Sequence, residues 1–233
     1  DSLVFFFFFN GSTWNPSNTG LTNPVHSFLS DGNKLYAGAW GSKVYVSTNN
    51  GASWTVSGSG INQSYISTLL KAGTEIFAVS YADAVYASSD SGLTWVQRND
   101  SLRRICASTI FEFNNTLYLA TMGSGIYLST NSGVNWMSKS NGIEAYCAKM
   151  AIYDNLIYLA TLGDGLHVSS DNGQSWQVKY APNGLSEIRA LCANDSEIYI
   201  GSSGQGFFRS IDGGSSWTQR NNGFGFPNAY LNY

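Results

Sequence analysis

Acid–base chemistry in this chain would depend on fifteen Asp and Glu residues and two histidines. Hydrolysis of a glycosidic bond, for example, needs two carboxylates roughly 5 to 10 Å apart. Asp83 and Asp164 lie in similar stretches of sequence that are two repeat units apart, which predicts too great a distance. His26 and His167 are isolated in the sequence. The residues therefore predict no catalytic site.

The cysteines and histidines do not form a metal-binding pattern either. Cys106, Cys147 and Cys192 are far apart and lack the closely spaced pairs of zinc sites. Each lies in an apolar stretch, which predicts three small buried hydrophobic residues. His167 stands at a position that tyrosines hold elsewhere in the chain, which predicts packing rather than catalysis. We expect no metal ion and no cofactor.

The low charge of the chain limits its partners. The net charge is −3, the sequence pI is about 5.2 and only 12% of residues are charged. This composition offers no basic surface for nucleic acid. No apolar run approaches the roughly 20 residues of a membrane-spanning helix. We therefore expect that the chain binds no nucleic acid and has no transmembrane segment. The partners that this composition allows are a protein or a glycan.

A recurring segment, Ser-x-[Asp/Asn]-x-Gly-x-x-Trp, organises the sequence. Successive tryptophans of this segment are 40 or 41 positions apart. The repeat units end near Trp14, Trp54, Trp95, Trp136, Trp176 and Trp217. The copy before Trp14 is altered, because phenylalanines stand at the Ser and Asp positions, Phe7 and Phe9. We interpret it as a first hairpin that lacks its polar residues, or as poorly identified residues for which the gene encodes Ser and Asp or Asn.

Each unit contains four short segments with strand character. In the unit of Trp54, the segments 35–37 and 44–46 are apolar and alternate with turn residues, and further strand-prone runs precede and follow them. Four strands per unit, repeated along the chain, predict an all-β protein and a β-propeller of four-stranded antiparallel blades. We expect one domain over residues 1–233 and six blades, the sixth shared by the two chain ends.

The repeated segment resembles the Asp-box, also called the BNR repeat. The resemblance implies that each box lies on the hairpin between the third and fourth strands and is structural. Its Asp or Asn accepts hydrogen bonds from main-chain N–H groups of the turn, and its Gly takes a positive φ. Burial of its Trp ring stabilises each blade by about 2–3 kcal/mol. The residues with this role are Asn49, Gly51, Trp54, Asp90, Gly92, Trp95, Asn131, Gly133, Trp136, Asp171, Gly173, Trp176, Asp212, Gly214 and Trp217.

Asp-box propellers include sialidases, xyloglucan-degrading glycosidases, the sortilin type of sorting receptor and a photosystem II assembly factor. Sialidases need an arginine triad and an early F/Y-R-I-P motif, and the sequence has no such motif. Its six arginines do not lie at enough equivalent positions for a triad. The sequence therefore resembles sialidases only in the boxes, and among enzymes a glycoside hydrolase of another type stays the alternative.

The turns between the second and third strands are the candidate binding positions. They present Trp40, Tyr81, Met122 and Leu162, with Ser203 in the last unit. In the Asp-box propellers that the chain resembles, ligands usually bind on the face that carries these turns. Large apolar residues in such a row could contact a protein or stack on sugars, and packing between blades is the alternative.

These features together predict a non-catalytic scaffold or protein-interaction module of the extracellular space or cell envelope. The weakly charged, Asn- and Ser-rich repeats resemble the secreted repeat proteins of bacteria. A carbohydrate-binding or glycoside-hydrolysing propeller is the first alternative. A propeller similar to the photosystem assembly factor is the second, and the low arginine content disfavours it.

Overall fold

The computed structural model describes residues 5–7, 14–41, 43–62, 65–81, 84–98, 102, 105–141, 143, 146–179, 184–185 and 187–222. Twenty-two β-strands account for its regular structure, and this part of the chain contains no α-helix. None of the described residues form a helix of the length and apolarity that crossing a bilayer would need.

Five sheets contain four antiparallel strands each, in chain order. The first comprises β3 (Val25–Asp31), β4 (Lys34–Ala39), β5 (Lys43–Ser47) and β6 (Thr55–Val56). The second comprises β7 (Ile66–Ala72), β8 (Glu75–Ser80), β9 (Ala84–Ser88) and β10 (Val96–Gln97). The third comprises β11 (Ala107–Phe113), β12 (Thr116–Thr121), β13 (Ile126–Ser129) and β14 (Met137–Ser138). The fourth comprises β15 (Tyr146–Tyr153), β16 (Leu156–Leu162), β17 (Leu166–Ser169) and β18 (Gln177–Lys179). The fifth comprises β19 (Ile188–Ala193), β20 (Ile198–Ser202), β21 (Gly206–Ser210) and β22 (Thr218–Gln219).

A two-stranded sheet of β1 (Phe5–Phe7) and β2 (Trp14–Pro16) precedes them. Phe6 pairs with Asn15, and these residues have the same offsets from Trp14 as the paired Val46 and Thr55 have from Trp54. The phenylalanine run therefore supplies a third strand, in agreement with its alignment on Trp14. Positions 9 and 11 of that altered box lie outside the described residues, as do residues 223–233 at the end predicted to share a sixth blade.

The chain divides into two compact units. One contains Asp1–Leu117 and Thr130–Trp136, and the other contains Tyr118–Ser129 and Met137–Tyr233. The prediction of a single domain over residues 1–233 stays a prediction.

The core of each unit lies where one sheet packs on the next. In the first unit, Tyr36 and Val44 of the first sheet pack against Ile66, Ile76 and Tyr86 of the second. The second strands are buried on both faces, as β4 shows with four successive buried residues. This burial explains why the second strands are nearly continuous apolar runs instead of alternating ones.

The second unit repeats this packing between its fourth and fifth sheets, where Tyr158 and Leu166 meet Ile188, Ile198 and Phe208. The fourth strands, in contrast, are short and exposed, since β6, β10, β14 and β22 have two residues each. Short outer strands limit pairing with other chains.

Candidate binding site

A β-bulge at the start of β3 sets the position of His26. Val25 pairs with Ala39 and Ser27 pairs with Gly38, so His26 is the extra residue between two paired ones. His26 keeps the regular alternation of β3, whose burial pattern places it on the exposed side. It lies at the edge of the sheet where the turn between β4 and β5 begins.

His26 holds the side chain of Trp40, the first residue after β4. The Trp40 Nε1–H donates a hydrogen bond to His26 Nε2. The two ring centroids are 5.9 Å apart, and the main-chain N–H of Trp40 donates to Pro24 O at 3.0 Å. Because this bond needs a lone pair on Nε2, it fixes a neutral His26 with its proton on Nδ1. Partial burial also lowers the pKa of His26 below its ordinary value of 6.5.

Tyr65 and Tyr81 of the next sheet continue the row of rings. Tyr65 lies 4.7 Å from His26, nearly perpendicular to it, 5.1 Å from Trp40 and 5.8 Å from Tyr81 between ring centroids. An antiparallel bridge joins Trp40 to Tyr65, and the Tyr81 N–H donates to Tyr65 O at 3.0 Å. We call His26, Trp40, Tyr65 and Tyr81 the aromatic cluster.

The aromatic cluster is partly exposed although its rings contact one another. Trp40 is 51% exposed and Tyr81 is 40% exposed, while Tyr65 is half-buried. Burial raises the pKa of Tyr65, and the neighbouring Tyr81 adds to that effect. Tyr65 therefore remains a neutral hydroxyl group near neutral pH, and the cluster presents ring faces and two tyrosine hydroxyls.

The structure brings two of the four predicted binding residues, Trp40 and Tyr81, into this cluster. Trp40 contacts the next sheet through Tyr65 and still exposes half of its surface, and its role in binding stays a prediction. Met122 and Leu162 belong to the second unit and are half-buried. Leu162 pairs with Tyr146 and forms a bridge to Glu187.

His26, although isolated in the sequence, contacts two rings of the cluster in the structure. Sequence reasoning missed it because a bulge is a property of strand pairing rather than of the side-chain pattern. The other histidine, His167, is 1% exposed in the core, which agrees with a packing role. Neither of its ring nitrogens has a hydrogen-bond partner among the described residues.

The Asp-box turns are closed by their own side chains. In the first sheet, Ser47 Oγ donates to Asn49 Oδ1 at 2.9 Å and accepts the Gly51 N–H at 2.9 Å. Asn49 Oδ1 also accepts the Ser53 N–H at 2.9 Å. The indole N–H of Trp54 donates to Ser17 O at 3.1 Å. The side chains of the box therefore accept the main-chain N–H groups of the turn, and the Trp54 indole links the turn to the segment of chain at Ser17.

In the boxes of the five four-stranded sheets, two successive residues adopt left-handed conformations. In the second sheet these are Ser91 and Gly92, with φ of 58° and 84°. The glycine lacks the Cβ that would come within 2.4 Å of Ser57 Oγ. A serine at φ > 0 is strained, so the residue before the glycine is also under backbone constraint.

Hydrogen bonds in the boxes hold their carboxylates ionised. The Thr94 side chain and N–H, together with Ser88, lower the pKa of Asp90 to about 2. Ser216, through its side chain and its N–H, has the same effect on Asp212, whose pKa is also about 2. Carboxylates held in this way accept hydrogen bonds and do not supply protons near neutral pH.

The three cysteines differ from the expectation of uniform burial. Cys147 is buried, and burial raises its pKa to about 11. Cys106 is partly buried and Cys192 is exposed, so the prediction was wrong for Cys192. The reason is strand alternation in β19, where Leu191 points into the core and Cys192 points away from it. Within the described residues, no group of three or more His, Cys, Asp or Glu side chains could hold a metal ion.

Neither a protein-family model nor a curated protein sequence matches the chain. Solved structures do. A GH74 enzyme of Niastella koreensis is 22% identical with a TM-score of 0.61, over 84% of this chain and 31% of its own. YCF48 bound to a D1 peptide is 17% identical with a TM-score of 0.71, over 90% of this chain and 72% of its own. The extracellular domain of a putative one-component system of B. thetaiotaomicron is 14% identical with a TM-score of 0.72, over 87% of this chain and 29% of its own.

These likenesses show the fold. The chain is an all-β protein with the β-propeller fold, built from four-stranded antiparallel sheets. The predicted fold class is thereby confirmed, and the number of six blades stays a prediction. The chain spans less than a third of the GH74 enzyme and of the B. thetaiotaomicron domain.

Proposed function

We propose that the chain is a non-catalytic binding module of the extracellular space or cell envelope, and that it binds a protein partner through the aromatic cluster. The exposure of Trp40 and Tyr81, at 51% and 40%, carries this proposal. Aromatic side chains are enriched at protein interfaces and lose little rotamer entropy there. Here the ring contacts with Tyr65 and His26 already hold them, which reduces the entropic cost of binding further.

The carboxyl groups favour binding over catalysis. A glycoside hydrolase needs one carboxylic acid with a raised pKa, close to a second carboxylate. Hydrogen bonds from Arg209 and Tyr199 lower the pKa of Glu197 to about 2, and the box residues Asp90 and Asp212 are lowered to a similar value. In the described part of the chain, each carboxyl group with a displaced pKa is displaced downward.

Two structural neighbours support the protein partner and the location. YCF48 was solved with a bound D1 peptide, and the B. thetaiotaomicron neighbour is an extracellular domain. We extend peptide binding and an extracellular or envelope location to this chain by likeness of fold. The role of an assembly factor with an arginine patch is less favoured. Three of the four described arginines pair with a glutamate, namely Arg98, Arg189 and Arg209 with Glu75, Glu187 and Glu197.

Carbohydrate binding is the second candidate, and one observation favours it. The half-exposed indole of Trp40 is the kind of surface on which a sugar ring stacks, and a GH74 xyloglucanase of Xanthomonas campestris shares the fold. The first candidate remains better supported, because the cluster offers few polar groups for the many hydroxyls of a sugar.

Capture from an envelope extract of the encoding organism tests the proposal. The bait is the full chain as wild type, as Trp40→Ala and as Met137→Ala, with xyloglucan oligosaccharides as a parallel ligand. Met137 is the matched control, since it is exposed to the same 51% on the outer strand β14.

A stoichiometric protein that wild type and Met137→Ala retain and Trp40→Ala loses would support the proposal. Binding or cleavage of the oligosaccharide without any protein partner would overturn it. A partner that all three variants retain equally would show that the aromatic cluster is not the binding surface.

A further inference from the structure

One box carbonyl of the first unit lacks the tyrosine donor that the other sheets provide. The hydroxyl of a second-strand tyrosine donates to a main-chain carbonyl of the next box in three places, namely Tyr36 to Ser91 O at 3.0 Å, Tyr118 to Asn172 O at 3.1 Å and Tyr158 to Gly213 O at 3.0 Å. The second sheet has Phe77 at this position. Among the described residues, no group donates to Ser132 O of the next box.

The ring of Phe77 packs as the tyrosine rings do. A Cβ on Gly133 would lie 3.6 Å from Phe77 Cε1, and a Cβ on Gly92 would lie 3.2 Å from Tyr36 Cε1. Both rings therefore lie against the glycine of the next box. The difference between them is the hydroxyl, so Ser132 O lacks the donor that Ser91 O has.

An open pocket of about 230 Å³ adjoins this carbonyl. Phe77 and Leu117 give it an apolar wall, and Ser132 borders it. Glu75, the first residue of β8, and Glu112, near the end of β11, add two carboxylates to the lining. All five residues belong to the first unit.

The pocket is separate from the aromatic cluster. Glu75 begins β8 and Tyr81 follows the last residue of that strand, so the two lie at its opposite ends. At the usual rise of a strand, six residues separate them by about 20 Å. The inference drawn from this pocket therefore goes beyond the proposed function and does not rest on it.

Three acceptors of the pocket have no donor. Glu75 Oε1 accepts from Arg98 at 3.1 Å, and Glu112 Oε1 accepts the Asn115 N–H at 2.9 Å. Among the described residues, the second oxygen of each carboxylate has no donor, and neither has Ser132 O. The other polar side chains of the lining are uncharged and can accept as well as donate.

The charges of the pocket leave one carboxylate without a cation. Glu75 forms an ion pair with Arg98. Glu112 has no such partner within the described part of the chain. The neighbouring Lys71 is itself paired with Asp31 at 2.7 Å. A ligand with one positive charge would therefore balance the pocket.

A primary ammonium group matches this lining. It carries one positive charge and three N–H donors, as many as the acceptors that lack one. The carbon chain that bears it can lie along the apolar wall, and the cation is attracted to the ring of Phe77. Four carbons and the ammonium group fit the volume of about 230 Å³, because a water molecule takes about 30 Å³ in the liquid.

Two other cations fit the pocket less well. A guanidinium group pairs side by side with both oxygens of a carboxylate, and Arg98 and Asn115 already occupy one oxygen of each glutamate. A metal ion needs more ligands, and no third acidic or histidine side chain joins the two glutamates among the described residues.

We propose that this pocket binds a primary alkylammonium group, the chemistry of a lysine side chain or of a free amine. The ammonium group donates to Glu75, Glu112 and Ser132 O, and its carbon chain packs on Phe77. The ligand thereby supplies the donor that a tyrosine hydroxyl supplies to the other boxes.

NMR titration of the full nitrogen-15-labelled chain with butylammonium tests this proposal. We expect saturable shifts of the amide resonances of Asn115 and Ser132, and none with butanol, which keeps the carbon chain and lacks the charge. Glu112→Gln should weaken the affinity about tenfold, the effect of one lost charge-assisted hydrogen bond. Asp154→Asn is the matched control, since it removes a carboxylate from the exposed β15–β16 turn of the other unit and should bind as wild type does.

Phe77→Tyr is the second test variant, because its hydroxyl would donate to Ser132 O and occupy part of the pocket. It should lose butylammonium binding while thermal unfolding shows a folded chain. Comparison of N-acetyl-lysine methylamide with butylammonium separates the two sources of the group. Tighter binding of the lysine derivative would identify a lysine side chain, and the reverse order would identify a free amine.

Absence of saturable shifts, equal shifts with butanol, or undiminished binding by Glu112→Gln or Phe77→Tyr would each overturn the proposal. Trp40→Ala should bind butylammonium as wild type does. A failure here therefore leaves the proposed function intact, and a failure of capture through Trp40 leaves this pocket intact.

Discussion

The hydroxyl of Tyr36 donates a hydrogen bond to the main-chain carbonyl of Ser91, 3.0 Å away, and so joins the first four-stranded sheet to the box turn of the second. Tyr158 and Gly213 repeat this contact at 3.0 Å in the second unit. Phe77 holds the equivalent position in the second sheet and lacks a hydroxyl. An open pocket of about 230 Å³ lies there, bordered by Ser132 in the box of the third four-stranded sheet.

The variant Phe77→Tyr should restore this contact. Its hydroxyl would reach the carbonyl of Ser132 and fill part of the pocket, which should raise the free energy of unfolding by about 1 kcal/mol. Tyr36→Phe and Tyr158→Phe should lower it by a similar amount. Urea unfolding of the three variants measures these changes in the free energy of unfolding, provided that the m-value, the slope against urea concentration, stays constant. If Phe77→Tyr is destabilising while Tyr36→Phe behaves as expected, the equivalence of these positions is wrong.

The box carboxylates should make stability fall in acid. The folded-state pKa of Asp90 and of Asp212 is about 2, below the ordinary 3.8, so their contribution is present above pH 3.8 and is lost as pH falls toward 2. The double variant Asp90→Asn/Asp212→Asn should flatten the stability profile in this window, because an amide does not titrate. The native Asn49 and Asn131 show that a box tolerates asparagine. Thermal unfolding at successive pH values measures the effect, and an unchanged slope would contradict it.

Protonation of His26 should release Trp40. The fold favours neutral His26, since burial lowers its pKa, so the Trp40–His26 bond is intact above pH 6.5 and is lost as pH falls below that value. Fluorine NMR of fluorotryptophan-labelled protein should show the Trp40 resonance moving with a midpoint below 6.5. The resonance is assigned by its absence in Trp40→Phe. His26→Phe should abolish the transition, and a pH-independent Trp40 resonance in wild type would refute the contact.

Replacement of His167 should stabilise the protein. Burial lowers the pKa of His167, and its two nitrogens have no partner among the described residues. Phe208 fills the equivalent position of the fifth sheet. We expect His167→Phe to raise the free energy of unfolding by about 1 kcal/mol at neutral pH. The increase should grow as pH falls below 6.5, because the unfolded wild type then binds a proton that the buried imidazole does not. Guanidinium unfolding at two pH values decides this, with His167→Ala as the control that removes the nitrogens and leaves a cavity. A loss of stability in His167→Phe would mean that the imidazole has a partner.

The sequence was sufficient to predict the strands and to place two exposed rings of the aromatic cluster, Trp40 and Tyr81, at turns between strands. The spacing of the box tryptophans and the apolar segments between them reflect backbone geometry that every unit shares, so Trp40 and Tyr81 could be placed at the turns after the second strands. The other contacts of the aromatic cluster, those of His26 and Tyr65, depend on how strands pair and how neighbouring sheets meet. The bulge at His26 and the bridge from Trp40 to Tyr65 arise from register, which composition and spacing do not encode.

Photo-crosslinking of the native complex tests the central claim most directly. The measurement compares Tyr81→p-benzoylphenylalanine, within the aromatic cluster, with Met137→p-benzoylphenylalanine on the exposed outer strand β14. The account predicts a covalent adduct with the partner protein from position 81 and no adduct from position 137. An adduct from position 137 and none from position 81 would contradict the assignment of the aromatic cluster as the binding surface.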